Sequence, residues 1–229
     1  MVQILGDIHG NFQKLYMKAM SVKDTTIIQV GDFGVGFRSR DRMDEEMKDI
    51  NKRLEKNNNR LLVIRGNHDD PAYFDGNYNF SNIEFLPDYT VRAIEGKNYL
   101  FVGGALSIDR IVRRSGVDYW PDEKFVLDLD KINAIQENID VVIAHSSPSF
   151  CEPVYFNELV WYYVAKDPAL HNELLQERKD FETMYDTLKL NGHRLEYWFN
   201  GHFHFTKEEL INDTNFRLLG IDVFYKLDE

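Results

Sequence analysis

Within the first 70 residues, three short apolar runs each lead into a glycine followed by Asp or Asn. Val2 to Leu5 leads into Gly6-Asp7, Thr25 to Val30 into Gly31-Asp32, and Leu61 to Ile64 into Gly66-Asn67. Runs this short and rich in branched side chains suit buried strands. Between them lie two stretches of helical period. Phe12, Leu15, Tyr16 and Ala19 fall on one helix face, as do Met43, Met47, Ile50 and Leu54 before the Asn57-Asn58-Asn59 stop. The order strand, helix, strand, helix, strand predicts a parallel sheet with helices covering it.

The middle of the chain changes character. Residues 83–85, 89–94 and 99–102 read as short strands, with a hairpin turn over 95–98. A helix is expected over about 128–138, with Leu129, Ile132, Ile135 and Ile139 inward. A buried strand follows at 141–144 and a long helix over 167–190. A strand over 196–199 precedes two more, at 210–212 and 216–221. Repeats and linker-like tracts are absent from the sequence, so a single domain over 1–229 is expected, with 150–190 as a possible substrate-covering insertion.

Composition narrows the function classes. The formal net charge is −11. Non-specific nucleic-acid binding draws on a basic surface, so this balance argues against it without excluding it. Cys151 is the only cysteine, which rules out an intrachain disulfide and a cysteine-based zinc site. No apolar run reaches membrane-spanning length, and the first strand begins at Val2 with no room for a signal peptide. A cytoplasmic location is expected.

Five loops hold the residues with chemistry in them: Asp7 and His9, Asp32, Asn67 and His68, His145, and His202 and His204. Each loop follows a predicted strand. Strand ends of one sense gather at one sheet edge, where ligands bind. Five of the seven histidines sit in these loops. Carboxylate and neutral imidazole are ligands for divalent ions such as manganese, iron or zinc. In Asp7-Ile8-His9 and His202-Phe203-His204 the partners are two apart, so an extended chain points them the same way. Asp32 is the candidate to bridge two metals. Two ions about 3.5–4 Å apart can share a hydroxide and clamp an in-line displacement. The resulting net positive charge suits an anionic substrate.

The ordered set Gly6-Asp7-Ile8-His9-Gly10, Gly31-Asp32, Gly66-Asn67-His68-Asp69, His145 and Gly201-His202-Phe203-His204 resembles the calcineurin-like metallophosphoesterases. The resemblance implies a four-layer α/β/β/α fold, a central β-sandwich flanked by helices. It implies Asp7, His9 and His204 as ligands of one metal, Asn67, His145 and His202 as ligands of the other, and Asp32 as the bridge. It implies His68 as general acid, a role that suits an imidazole. The implied cofactors are two divalent ions, manganese first and iron or zinc as alternatives. The implied activity is hydrolysis of a phosphate ester, mono- or diester, on a small or nucleotide substrate. A nuclease or RNA-processing member and a non-catalytic scaffold of the same fold are the alternatives.

This chain departs from the protein Ser/Thr phosphatase pattern. Three residues after Asp32, where those enzymes carry an acid and then an arginine, stands Val35. The segments Gly103 to Asp109 and Trp120 to Glu123 look similar to small bacterial and phage members. Asn67, Arg65 and Arg113 are candidates for substrate contact. Asp69 is either a charge partner for the site or a turn-stabilising carboxylate. The aromatic-rich stretch Tyr155 to Tyr163 is expected to pack in a core or interface, with a lid over an aromatic group as the alternative. His171 and His193 are expected at the surface, and Cys151 as a buried structural thiol.

Overall fold

A computed structural model describes residues 1–227. The first half alternates as the sequence predicts: β1 (Val2–Leu5), α1 (Phe12–Ser21), β2 (Thr26–Gln29), α2 (Arg40–Lys56) and β3 (Arg60–Val63). Then come β4 (Asn79–Phe80), β5 (Ile83–Phe85), β6 (Thr90–Ile94), β7 (Lys97–Val102), α3 (Leu129–Asn133) and β8 (Val141–Ala144). The last part holds α4 (Glu158–Val164), α5 (Leu170–Leu190), β9 (Tyr197–Asn200), β10 (Lys207–Ile211), β11 (Thr214–Leu218) and β12 (Phe224–Leu227).

The strands form two mixed six-stranded sheets. One runs β12-β1-β2-β3-β5-β4, the other β10-β11-β9-β8-β7-β6. Alternation along each strand splits its apolar residues between two layers. Ile4, Ile28, Leu62, Phe101, Ile143 and Phe199 point between the sheets. Leu5, Ile27, Leu61 and Val63 point outward, onto the buried faces of α1 and α2. Leu100, Val142 and Trp198 point outward from the second sheet onto Ile132, Phe181, Met184 and Leu188. The result is the expected α/β/β/α sandwich. Full burial of a side chain such as Phe199 contributes roughly 1.5–3 kcal/mol.

Some elements differ from the sequence reading. The helix expected over 128–138 is a short one, capped by the Asp128 side chain, which accepts from Lys131 N–H. Leu129 is exposed rather than inward, and the Ile139 N–H donates to His193 Nδ1 at 3.2 Å. His193 is thereby buried, not at the surface. The long helix starts at Leu170 because the Asp167 side chain turns back to accept from Ala169 N–H and pairs with Arg110. Most of the expected 150–190 insertion is therefore a structural layer. Only its first part, through α4, stands off the sheet, packed on Leu106, Leu170 and Leu174. Among the described residues, no helix is long and apolar enough to cross a membrane.

Candidate metal centre

β1, β2 and β3 are parallel neighbours in one sheet, and β8 and β9 in the other. The loops after these five strands bring Asp7, His9, Asp32, Asn67, His68, His145, His202 and His204 to one place, on both sides of the gap between the sheets. The turns are sharp. His9, Asp32, His202 and His204 all have positive φ, between 45° and 72°. Such backbone costs of order 1–3 kcal/mol per residue and persists where surroundings fix it. Here His9 N–H donates to the Asp32 carbonyl at 2.8 Å and Gly10 N–H to the Phe33 carbonyl at 2.9 Å. Gly31, at φ +98°, passes so close to the His145 ring that any Cβ would overlap it.

Two groups of ligand atoms result. Asp7, His9, Asp32 and His204 each offer one atom, all within 4.8 Å of one another, a group that could hold a metal ion. On the other side, Asn67 Oδ1 lies 2.9 Å from His202 Nδ1 and 3.2 Å from His145 Nε2. Asp32 belongs to both: Oδ2 is 3.7 Å from His9 Nδ1 and Oδ1 is 3.2 Å from His145 Nε2. Backbone donors aim the carboxylates, His68 N–H to Asp32 Oδ1 at 2.7 Å and His202 N–H to Asp7 Oδ2 at 2.9 Å. The His145 ring is fixed by its Nδ1, 2.8 Å from the Val30 carbonyl, which leaves Nε2 facing the cluster.

The remaining oxygens test whether cations fit. Asp7 Oδ1 and Asp32 Oδ2 are buried with no hydrogen-bond partner. Orphaned buried carboxylate oxygens are costly. Burial raises the Asp7 carboxyl well above its ordinary range. Burial also opposes charge on Asp32, but His145 and His68 beside it outweigh burial and hold it low. Burial likewise opposes charge on His145, yet Asp32 and Asp7 push it up to about 10. The cluster thus draws positive charge to itself, and its carboxylate, imidazole and amide donors suit borderline divalent ions.

His68 stands at the rim. Burial lowers its imidazole to about 4, and Arg113 adds to the lowering. Arg113 Nη2 lies 3.0 Å from His68 Nε2 and Nη1 lies 3.3 Å from Nδ1. Asp109 in turn holds Arg113 Nε at 2.7 Å. Val35, which stands where the protein Ser/Thr phosphatase pattern has an acid, is a buried core residue. Asp69 accepts from the N–H groups of Gly66, Phe33, Gly34 and Val35, and so acts as the carboxylate that organises the two loops.

Arg65 does not join the site. Its guanidinium is buried against Asp88 and the carbonyls of Asp122 and Lys124, where it ties the 120s loop to β3. Arg113 does join. Two residues were missed by sequence reasoning. Asn67 Nδ2 donates to Ser107 Oγ at 3.0 Å, and Ser107 N–H donates to Glu123 at 2.7 Å. This chain sets which end of the Asn67 amide faces the cluster. Both residues lie in the two segments noted above for likeness, but nothing local in the sequence links them.

The site opens into a cleft of about 610 Å³. Asp32, Asn67, His68, His202 and Arg113 line one side, and residues of the 153–163 segment line the other. That segment is not core. No residue of α4 is buried, and Tyr155 is 86 % exposed. Trp161 stacks on His171, with ring centroids 5.3 Å apart. Cys151 is buried, as expected.

No curated protein matches the sequence. Among solved structures, TT1561 of Thermus thermophilus is similar at a TM-score of 0.51 and 12% identity, covering 96% of this chain and 89% of that one. A phosphopantetheinyl hydrolase from Mycobacterium tuberculosis reaches 0.48 at 13% identity, with 96% and 89% covered. GAP50, the anchor in the inner membrane complex of Plasmodium, reaches 0.45 at 14%, with 96% and 70% covered. The first of these shows a shared fold. The model of the calcineurin-like phosphoesterases matches residues 2–205, a span that contains all five loops, and the chain belongs to that family.

Proposed function

We propose that the protein hydrolyses phosphate esters with two divalent ions, manganese in the first instance. One observation carries this reading: each carboxylate oxygen of Asp32 faces a different histidine group, and the site retains buried acid oxygens without partners. Asp7, His9 and His204 would hold one ion, Asn67, His145 and His202 the other, and Asp32 both. When bound, the ions supply Lewis acidity and a nucleophilic oxygen at neutral pH.

The chain's own groups do the rest. Arg113 donates to a phosphoryl oxygen, a charge-assisted bond worth roughly 1.5–3 kcal/mol. Asn67 keeps its amide oxygen toward the cluster through Ser107. His68 delivers the proton to the departing alkoxide. Burial keeps its imidazole neutral in the free protein. A phosphate dianion beside it favours the charged form and loads the proton with the substrate. The lone, buried Cys151 accords with a reducing, cytoplasmic setting.

His68→Ala tests the reading. Turnover of a chromogenic phosphate ester with Mn²⁺ should fall roughly 10²–10⁴-fold, with metal content unchanged. Undiminished turnover would overturn the assigned role.

A further inference from the structure

The cleft is larger than a phosphoryl group requires. Its volume, about 610 Å³, lies in the range of roughly 300–1,000 Å³ that encloses whole small-molecule ligands. Its two sides differ in chemistry. The catalytic side is polar and charged. The far side is apolar, made by Phe156, Leu159, Val160, Tyr163 and Ile108.

The far side is also well anchored. Asn157 caps α4 by accepting from Val160 N–H at 3.0 Å, which sets where the helix starts. Val160 and Tyr163 then share one face of α4, and Phe156, just before the cap, joins them in one stripe. That stripe packs on Leu106, Leu170 and Leu174, so the wall is seated on α5 rather than free in solvent. Yet Leu159 stays 56 % exposed beside it. Apolar surface left open next to a reaction centre, in one continuous cleft, marks a place for something apolar to bind.

We propose that this wall seats the alcohol half of the substrate, and that the substrates are phosphate esters whose alcohol carries an aromatic ring. The inference rests on the phosphoesterase reading and names its substrate class. Phe156 and Tyr163 offer ring edges and faces that favour aromatic partners over flexible chains. The phosphate lies against Arg113 and His68, and the ring crosses to α4.

The test compares 2-phenylethyl phosphate with ethyl phosphate on the Mn²⁺-loaded full-length protein. The two alcohols differ little in acidity at the oxygen, so leaving-group chemistry is matched. kcat/KM should favour the phenyl ester roughly 10- to 100-fold. Leu159→Ser, a change at an exposed position, should narrow that preference several-fold, and Tyr163→Ser further. AMP, tested alongside, shows whether a nucleoside base is accepted as the ring. Calorimetry with phenethylphosphonate and ethylphosphonate reads the same preference without turnover. Equal kcat/KM for the two esters together with equal Kd for the two phosphonates overturns the inference, and so does a preference that Leu159→Ser and Tyr163→Ser leave intact. If neither ester turns over but the phenyl phosphonate binds tighter, and the variants lose that gain, the subsite stands and the hydrolase reading falls.

Discussion

Arg113 faces both ring nitrogens of His68, Asp109 holds its Nε, and its Nη1 donates to the Asp118 carbonyl at 3.2 Å, so the guanidinium has one firm orientation at the cleft. A planar fork of this kind matches phosphate oxygens two at a time. Arg113→Ala should lower kcat/KM roughly 10- to 100-fold through the lost charge-assisted bonds. Arg113→Lys should recover little of it, since an ammonium cannot keep the Asp109 bond and the phosphate bond together. Steady-state kinetics on both variants check this, and full rescue by lysine would count against a fork. Glu177, on α5 at the cleft floor, makes a separate prediction. Burial pushes its carboxyl up to about 8, from an ordinary 4.5. Between those values the folded state keeps a proton that the unfolded chain has released, so stability falls as pH rises through that window. Glu177→Gln removes that loss. In metal-free protein the variant should match wild type near pH 4 and gain on the order of 2–4 kcal/mol by pH 8. Chemical denaturation at several pH values measures it, and a constant difference would exclude the mechanism.

At the scale of elements, the strands that lead to candidate ligands were legible because each is a short, largely apolar run, four of them followed by glycine and a polar residue and β8 by His145 directly. The two-residue β4 was not legible, and neither was β12, which forms because β1 offers it an antiparallel partner. A four-residue pattern such as Phe224–Leu227 carries no such information by itself. α3 was overread, since three isoleucines at helical spacing continue past the point where the chain turns to meet His193. The aromatic stretch that became α4 is only partly packed: Phe156, Val160 and Tyr163 rest on Leu106, Leu170 and Leu174 and also line the cleft, beside the exposed Leu159. The Ser107 loop shows the limit most clearly. Its partner Asn67 is 40 residues away, and no spacing rule spans that distance. Arg65 shows the converse, since its place beside the third motif suggested substrate while its partner Asp88 lay 23 residues on. Ser107→Ala frees the Asn67 amide to rotate. It should weaken Mn²⁺ binding roughly 10- to 100-fold with the fold intact, measured by calorimetric titration. Unchanged affinity would mean the amide is held by its histidine neighbours alone.

At the scale of the whole molecule, the strand and helix pattern predicted a parallel sheet with covering helices, while the sandwich and its layers came only from the resemblance to the family. How the halves face each other did not follow. The candidate ligands come from both sheets, so an ion bound there would stabilise the association of the two sheets as well as each loop. Saturating Mn²⁺ at about 100 times Kd adds roughly 2.7 kcal/mol. For a chain of this size that raises Tm by roughly 5–10 °C, and a chelator should reverse it. Scanning calorimetry with and without EDTA checks this, and an unmoved Tm would argue against a resident ion. The Asp7 carboxylate accepts from the N–H of His202, which joins the loop after the first strand to the last of the five loops. A chain made only as far as residue 144 lacks three of the cluster's imidazoles, those of His145, His202 and His204. Both candidate ligand groups are complete only in a chain that extends through residue 204, so an ion held by both would report on that whole span.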